Sequence, residues 1–331
     1  MTAPRSHDWP RPAVCAAIVA VMLAMLVLPA ALTLHSVRAP SLPVFSTDNP
    51  TPNPSPYGYT WSLLLFLVPI GVLGLWFGWH GELEIRRAFW WTIAFLGIAG
   101  CLLDIIFAQW FFRFPNAGAI VGVHAPAIGK WVPVEEYLFY FSGFLMILLV
   151  YVWLSENWLA AYTEPNYRAE SAKIAKLLRF HWTSLVVGVV LIAVAVLYKK
   201  EFSEVREGWP GYFMVLVIGG LIPSIGFFDE VQRFINWRAF SLTMLFTMLI
   251  SLLWEATLAL PYGWWGYERE RMLGIFIGAW DGLPIEAVLV WIAVTYGTVI
   301  VFEVIKLQQA SGRPAREALL GGRAAAPGRQ G

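Results

Sequence analysis

Six carboxyls stand inside or at the ends of apolar stretches of this 331-residue chain: Asp104, Glu135, Glu136, Glu255, Glu286 and Glu303. A charge at the centre of a bilayer costs about 2.5–3.5 kcal/mol on insertion scales, so an intramembrane carboxyl faces the bundle interior and is a functional hypothesis by default. Apolar surroundings disfavour the ionised form, and a second carboxyl close by separates the pair into proton donor and proton acceptor. A protonated carboxyl in a dry site is a general acid. That chemistry suits protonation of an apolar alkene, where no water or metal helps. The product is a carbocation, and aromatic faces stabilise cations. The segments between the acids carry many such faces: Trp110, Phe111, Phe112, Phe114 and Trp131 in one, Tyr262, Trp264, Trp265, Tyr267 and Trp280 in the other. Trp110, Trp264, Trp265 and Tyr267 are the candidate substrate wall. The competing reading is an interfacial belt, which Trp and Tyr form in any membrane protein.

The acids differ in what else explains them. Glu303 lies three residues before Lys306 near a helix end, which reads as an interfacial ion pair. Glu135 and Glu286 each follow a proline by two residues, and proline followed by an acid is also an ordinary helix start, the carboxylate meeting the positive end of the helix dipole. Asp104 and Glu255 stand mid-helix among Leu, Ile, Trp and Ala, where the competing reading is a buried structural hydrogen bond.

The elements that must position these acids are membrane helices. The chain is 58% hydrophobic and only 14% charged, against about 25% charged in soluble domains. A spanning helix needs about 20 mostly apolar residues. Eight candidates result, at 13–34, 60–79, 88–113, 132–154, 182–198, 211–227, 239–260 and 283–305. The first is longer than the apolar core of a signal peptide and is expected to be retained. Residues 39–57, with six prolines, read as an external loop. Basic residues concentrate on the loops that share a side with both termini, among them Arg86, Arg87, Arg168, Lys173, Lys176, Arg233, Arg238 and Arg313. By the positive-inside rule, both termini face the cytoplasm and the protein sits in the cytoplasmic membrane.

Other classes are excluded on composition. A net charge of +1 offers no field for nucleic acid. Cys15 and Cys101 are isolated, and the five histidines are scattered without ligand spacing, so no metal site or disulfide framework is expected. No glycine-rich phosphate loop is present, and no cofactor is expected.

An internal repeat organises the rest. Shifting the segment 100–140 by 151 residues onto 251–291 places Asp104 on Glu255, Ala108 on Ala259, Pro133 on Pro284, Glu135 on Glu286 and Leu138 on Leu289. Each copy has an acid deep in one helix, an aromatic link, then Pro-x-Glu opening the next helix. The expected fold is an all-α polytopic bundle of about eight spans in two tandem repeats. Its parts are an N-terminal membrane helix and proline-rich loop (1–59), a first repeat (60–155), a charged loop and linking helix (156–210), a second repeat (211–306) and a disordered basic tail (307–331). The two acid-bearing helix pairs would run the same way through the membrane, with a cavity between the halves.

The motifs W-V-P-V-E-E-Y-L-F-Y (131–140) and G-L-P-I-E-A-V-L-V-W (282–291), each after an acidic helix and an aromatic link, resemble the lycopene cyclase domain. This is the integral-membrane, non-flavin type of lycopene β-cyclase, found as two small subunits or one fused chain, with related carotenoid hydratases and membrane terpene cyclases. The resemblance covers about 60–305. It implies acid-initiated ring closure at the end of a linear isoprenoid or carotenoid drawn from membrane lipid, without redox change. It also implies Glu135 and Glu136 as the prime acid/base residues; in the cyclase reading Glu135 is the first donor, and Glu286, Asp104 or an ordered water removes the final proton. The second copy departs from the pattern, carrying Ala287 where the first has Glu136. Hydration instead of cyclisation and proton-coupled transport are the alternative readings. A magnesium-dependent prenyltransferase ranks last, because Asp229-Glu230 has no partner cluster.

Overall fold

In the computed structural model the described residues are 53–128 and 131–321, with Ala17, Ala20 and Ala24 as isolated helical positions. The candidate span at 13–34 and most of the proline-rich loop therefore lie outside the described residues. The architecture is a mostly helical bundle, because in lipid every backbone N–H and C=O must be satisfied within its own segment. Helix α1 covers Gly58–His80 and α2 covers Leu83–Phe111. Helix α3 starts at Val134 and continues through a wider π-type turn to Trp158. A short α4 at Tyr167–Lys173 precedes α5, Trp182–Glu201. The apolar segment Gly211–Gly226 forms α6, the single turn Asp229–Gln232 forms α7, and Trp237–Ala259 forms α8. Helix α9 covers Ile285–Ala310, and α10 covers Ala315–Leu320.

Six of these, α1, α2, α3, α5, α8 and α9, are long and apolar enough to cross a membrane. They match six of the expected spans to within a few residues. One shift of five residues is at α2, which starts at Leu83 and so takes in Arg86 and Arg87. A 29-residue helix is about 43 Å long, well beyond a hydrocarbon core of about 30 Å, so its first turns project into the polar zone where two arginines are at home. The expected span at 211–227 is shorter and broken. Pro210 precedes it, a π-type turn runs over Leu216–Leu221, and Pro223 opens its last turn. Sixteen residues at 1.5 Å each give about 24 Å, less than that core.

Helices α2, α3, α8 and α9 form the centre, with α9 packed on the other three. Helix α1 lies against α3, and α5 against α6. Buried apolar side chains from all the central helices make one continuous core. The aromatic links are not plain loops. Phe112–Arg113 (β1) pairs antiparallel with Gly266–Tyr267 (β4), joining the two links across the molecule. His124–Pro126 (β2) pairs with Trp131–Pro133 (β3) just before α3, and Phe276–Ile277 (β5) pairs with Leu283–Pro284 (β6) just before α9.

The C-terminal segment corrects an expectation. Residues 307–331 read as a disordered tail from their Gly, Ala and Arg content, yet α9 runs on to Ala310 and α10 follows. The reason is a docking strip. The backbone N–H groups of Leu177 and Leu178 donate to the carbonyls of Ala318 (2.9 Å) and Leu319 (3.0 Å), Arg313 Nη2 donates to the Ile174 carbonyl at 2.5 Å, and Ala318 is fully buried. Residues 322–331 lie outside the described residues. Replacing Ala318 by Glu is expected to release α10, at a cost of roughly 1–3 kcal/mol. Tryptic cleavage after Arg316 in reconstituted protein should then speed up about tenfold or more; an unchanged cleavage rate would contradict the docking.

Candidate functional site

All the membrane acids except Glu303 gather at one end of the bundle, where α2 and α8 finish and α1, α3 and α9 begin. Their positions follow from local backbone. Glu255 opens the π-type turn Glu255–Ala259 that ends α8, a geometry often found at functional sites because one extra residue re-aims the side chains. The turn directs Glu255 inward, 2% exposed. There its Oε1 accepts the indole N–H of Trp291 at 2.7 Å and its Oε2 accepts the Tyr267 hydroxyl at 2.8 Å. Glu136 lies in the first turn of α3 and accepts the Tyr59 hydroxyl on Oε2 at 2.8 Å. Asp104, one to two turns before the end of α2, is buried, and its Oδ2 is unpartnered among the described residues. Both Asp104 and Glu255 act electrostatically on Glu136, so these three carboxyls form one cluster.

Glu135 and Glu286 are placed differently. Glu135 Oε1 accepts the backbone N–H of Val121 at 2.8 Å and the Thr60 hydroxyl at 2.6 Å. Glu286 Oε1 accepts the backbone N–H of Leu273. In both, a first-turn glutamate two residues past one strand of a pair ties down an amide three residues before the other strand. Each leaves Oε2 buried and unpartnered among the described residues. The environments diverge at Lys199, which is fully buried at the end of α5 and acts electrostatically on Glu286.

Between α3, α6, α8 and α9 lies a narrow cavity of about 30 Å³, room for about one water. Glu136 and Glu255 face it, and the rest of its wall is chiefly aromatic: Phe139, Tyr140, Tyr212, Trp265, Tyr267 and Trp291. No basic residue lines it. Of the four aromatic residues expected at a substrate wall, Trp265 and Tyr267 line the cavity. Trp264 stands behind it, stacked on Tyr59 (6.3 Å between centroids) with its indole N–H on Ser55 at 3.1 Å; its closeness leaves no space for a side chain at Gly58. Trp110 is outside, 51% exposed on the outer face of α2, with the Arg271 guanidinium 5.6 Å from its ring. Its position one residue from the end of a lipid-facing helix makes it a belt tryptophan.

Glu303 also differs from expectation. It is buried, and accepts the hydroxyls of Tyr151 (2.7 Å) and Tyr167 (2.6 Å). Lys306 donates instead to Glu156 at 3.0 Å. The two tyrosines reach Glu303 from α3 and α4, so it cross-braces the opposite end of the bundle.

Tyr59, Phe139, Tyr140, Tyr212 and Trp291 were not singled out from the sequence. Phe139 and Tyr140 sit inside the first quoted motif, four residues past Glu135 and Glu136 and so on the same faces, and Trp291 closes the second motif. Tyr59 and Tyr212 reach the cluster from the first turns of α1 and α6, and local sequence carries no such signal. No group of three or more His, Cys, Asp or Glu among the described residues could hold a metal ion. Compared with known proteins, the chain matches no family model, no curated protein and no solved structure.

The anchor geometry is testable by amide hydrogen exchange. A hydrogen bond to a charged or strongly polar partner contributes about 1.5–3 kcal/mol, so Glu135→Ala is expected to raise exchange at Val121, and Glu286→Ala at Leu273, by roughly 10–100-fold. The cluster-facing segment around Trp254 should keep its protection. Unchanged exchange at both amides would remove the anchoring role.

Proposed function

We propose that this membrane-embedded helical protein is an isoprenoid cyclase that closes a ring by acid-initiated, non-redox chemistry, like the lycopene cyclase domain its motifs resemble. The observation that carries the proposal is the pairing of Glu136 and Glu255 across one narrow cavity, walled otherwise by aromatic rings and lined by no cation. Glu136 is the donor in place of Glu135, since Glu136 lines the cavity and Glu135 does not. The protonated Glu136 gives its proton to a terminal double bond. The resulting cation is held over the faces of Phe139, Trp265 and Trp291. An internal double bond attacks it, closing the ring and moving the positive charge to a ring carbon. Glu255, whose two oxygens already accept hydrogen bonds, takes a proton from the neighbouring carbon, and the double bond re-forms. The substrate's formula is unchanged. The proton returns from Glu255 to Glu136 within the carboxyl cluster, where Asp104 is the third member.

The tandem-repeat organisation belongs to the same proposal. It is supported by the two strand pairs, the two first-turn glutamates on link amides, and the placement of Asp104 and Glu255 at matching helix ends. So does the orientation: with both termini cytoplasmic, the carboxyl cluster lies toward the outer face of the cytoplasmic membrane. Room for one water at the cavity favours hydration as the second reading, with that water capturing the cation. For proton-coupled transport, the broken α6 is the feature to weigh. Paired broken helices mark transporter sites, but α1, its counterpart in the first half, is a single helix containing Pro69.

The test is an extract, analysed by mass and absorbance, from cells fed linear isoprenoids with and without the chain. An isomer of unchanged mass is expected; a gain of one water would replace the cyclase reading with the hydratase. Glu136→Gln should lower yield by 100-fold or more, the low end of what a general acid contributes being about 10². Glu135→Gln should retain more activity than Glu136→Gln. Normal yield from inserted Glu136→Gln protein would sink the assignment.

A further inference from the structure

The carboxyl cavity is too small for any isoprenoid, so a ligand must enter by a route that opens. A second narrow cavity, also about 30 Å³, lies between α1, α3 and α8. Leu63 and Phe66 of α1, Met146 of α3 and Ile250 of α8 wall it. It reaches the outer surface of the described bundle, where Ile250 is 37% exposed at its rim. Phe139, Gly143 and Trp291 line both cavities. The Phe139 ring stands between them, stacked on Trp254 (5.3 Å) and edge-on to Trp265 (5.0 Å) and Trp291 (5.6 Å).

We infer that the two cavities are one lateral passage, closed by the Phe139 ring, through which a neutral, slender apolar chain enters from the bilayer with its unsaturated end at Glu136 and Glu255 and its tail between α1 and α8. That the chain is an isoprenoid rests on the proposed function; the route does not. Three observations fix the ligand class. The mouth opens between two helices long and apolar enough to span a membrane, so the ligand arrives from lipid. Among the described residues two carboxyls and no basic side chain line the passage, so a diphosphate or a fatty-acid carboxylate would meet only like charge or no partner. The passage is narrow where the two cavities meet: a Cβ at Gly143 would already stand 3.4 Å from the Trp291 ring, which favours an unbranched or methyl-branched chain over a fused-ring lipid. Swinging Phe139 between staggered rotamers exchanges one aromatic contact for another and leaves the α3 backbone in place.

The test uses the full chain in phosphatidylcholine nanodiscs with a linear isoprenoid hydrocarbon carrying a diazirine near its tail. Photolabelling is expected on the stretches of α1 and α8 that face the second cavity. Unlabelled isoprenoid hydrocarbon should compete with it; an isoprenyl diphosphate or oleate should not. Ser251→Trp, which fills the second cavity, should cut this labelling at least tenfold, and Phe66→Trp at the mouth should lower it as well, so that misfolding of one variant leaves the other to decide. Phe139→Ala should extend labelling to α9. Label spread evenly over the lipid-facing surface of α5, competition by phosphatidylcholine itself, or labelling indifferent to Ser251→Trp and Phe66→Trp would overturn the passage. Specific labelling without any product would leave the passage standing and remove the cyclase; product formation unaffected by both fillers would do the reverse.

Discussion

Everything at the working end of this molecule depends on one constraint: a carboxyl taken out of water must find donors, and in lipid those donors can come only from the protein. Four of the five acids at one end of the bundle receive them, largely from other elements. Tyr59 reaches from α1 to Glu136 on α3. Trp291 reaches from α9, and Tyr267 from the second link, to Glu255 on α8. Thr60 and the Val121 amide converge on Glu135. Each bond costs little to form and much to leave unmade, so together they set the order in which helices can sit beside one another. The other end obeys the same rule, with Glu303 held by tyrosines from two helices.

The constraint also explains why acids of one type take two roles. A glutamate in the first turn of a helix is close both to the bundle interior and to the loop that precedes it. Glu135 and Glu286 sit where that loop presents a backbone N–H, and are consumed by it. Glu136, one residue on and about 100° around the helix, faces inward and meets a tyrosine instead. In α9 the residue after Glu286 is Ala287, and the second inward acid comes from α8 as Glu255. The cavity thus draws one carboxyl from α3 and one from α8.

Much of this was legible in the sequence, and the boundary of legibility has a physical cause. Long apolar runs dictate helices because lipid leaves the backbone no alternative, so the spans and the acids within them could be read directly. The positions of Trp265, Tyr267 and the three clustered acids follow from that. What could not be read is direction. Whether Glu135 or Glu136 points inward depends on where Val121 lies, and whether Trp110 faces the cavity or the bilayer depends on how α2 is rotated against α9. Tyr59 and Tyr212 join the cluster through packing between helices distant in sequence. The order of α10 was hidden for a related reason: its composition reads as solvated, and only the strip at Leu177–Leu178 that receives it makes it hold a shape.

The pairing of Phe112–Arg113 with Gly266–Tyr267 has one more consequence. It is made by main-chain groups, which every residue but proline supplies alike. A joint of that kind places little demand on side-chain identity, so the two links are free to drift apart in composition while their register holds. Such drift would let either link take on new side chains without the two losing their grip on each other.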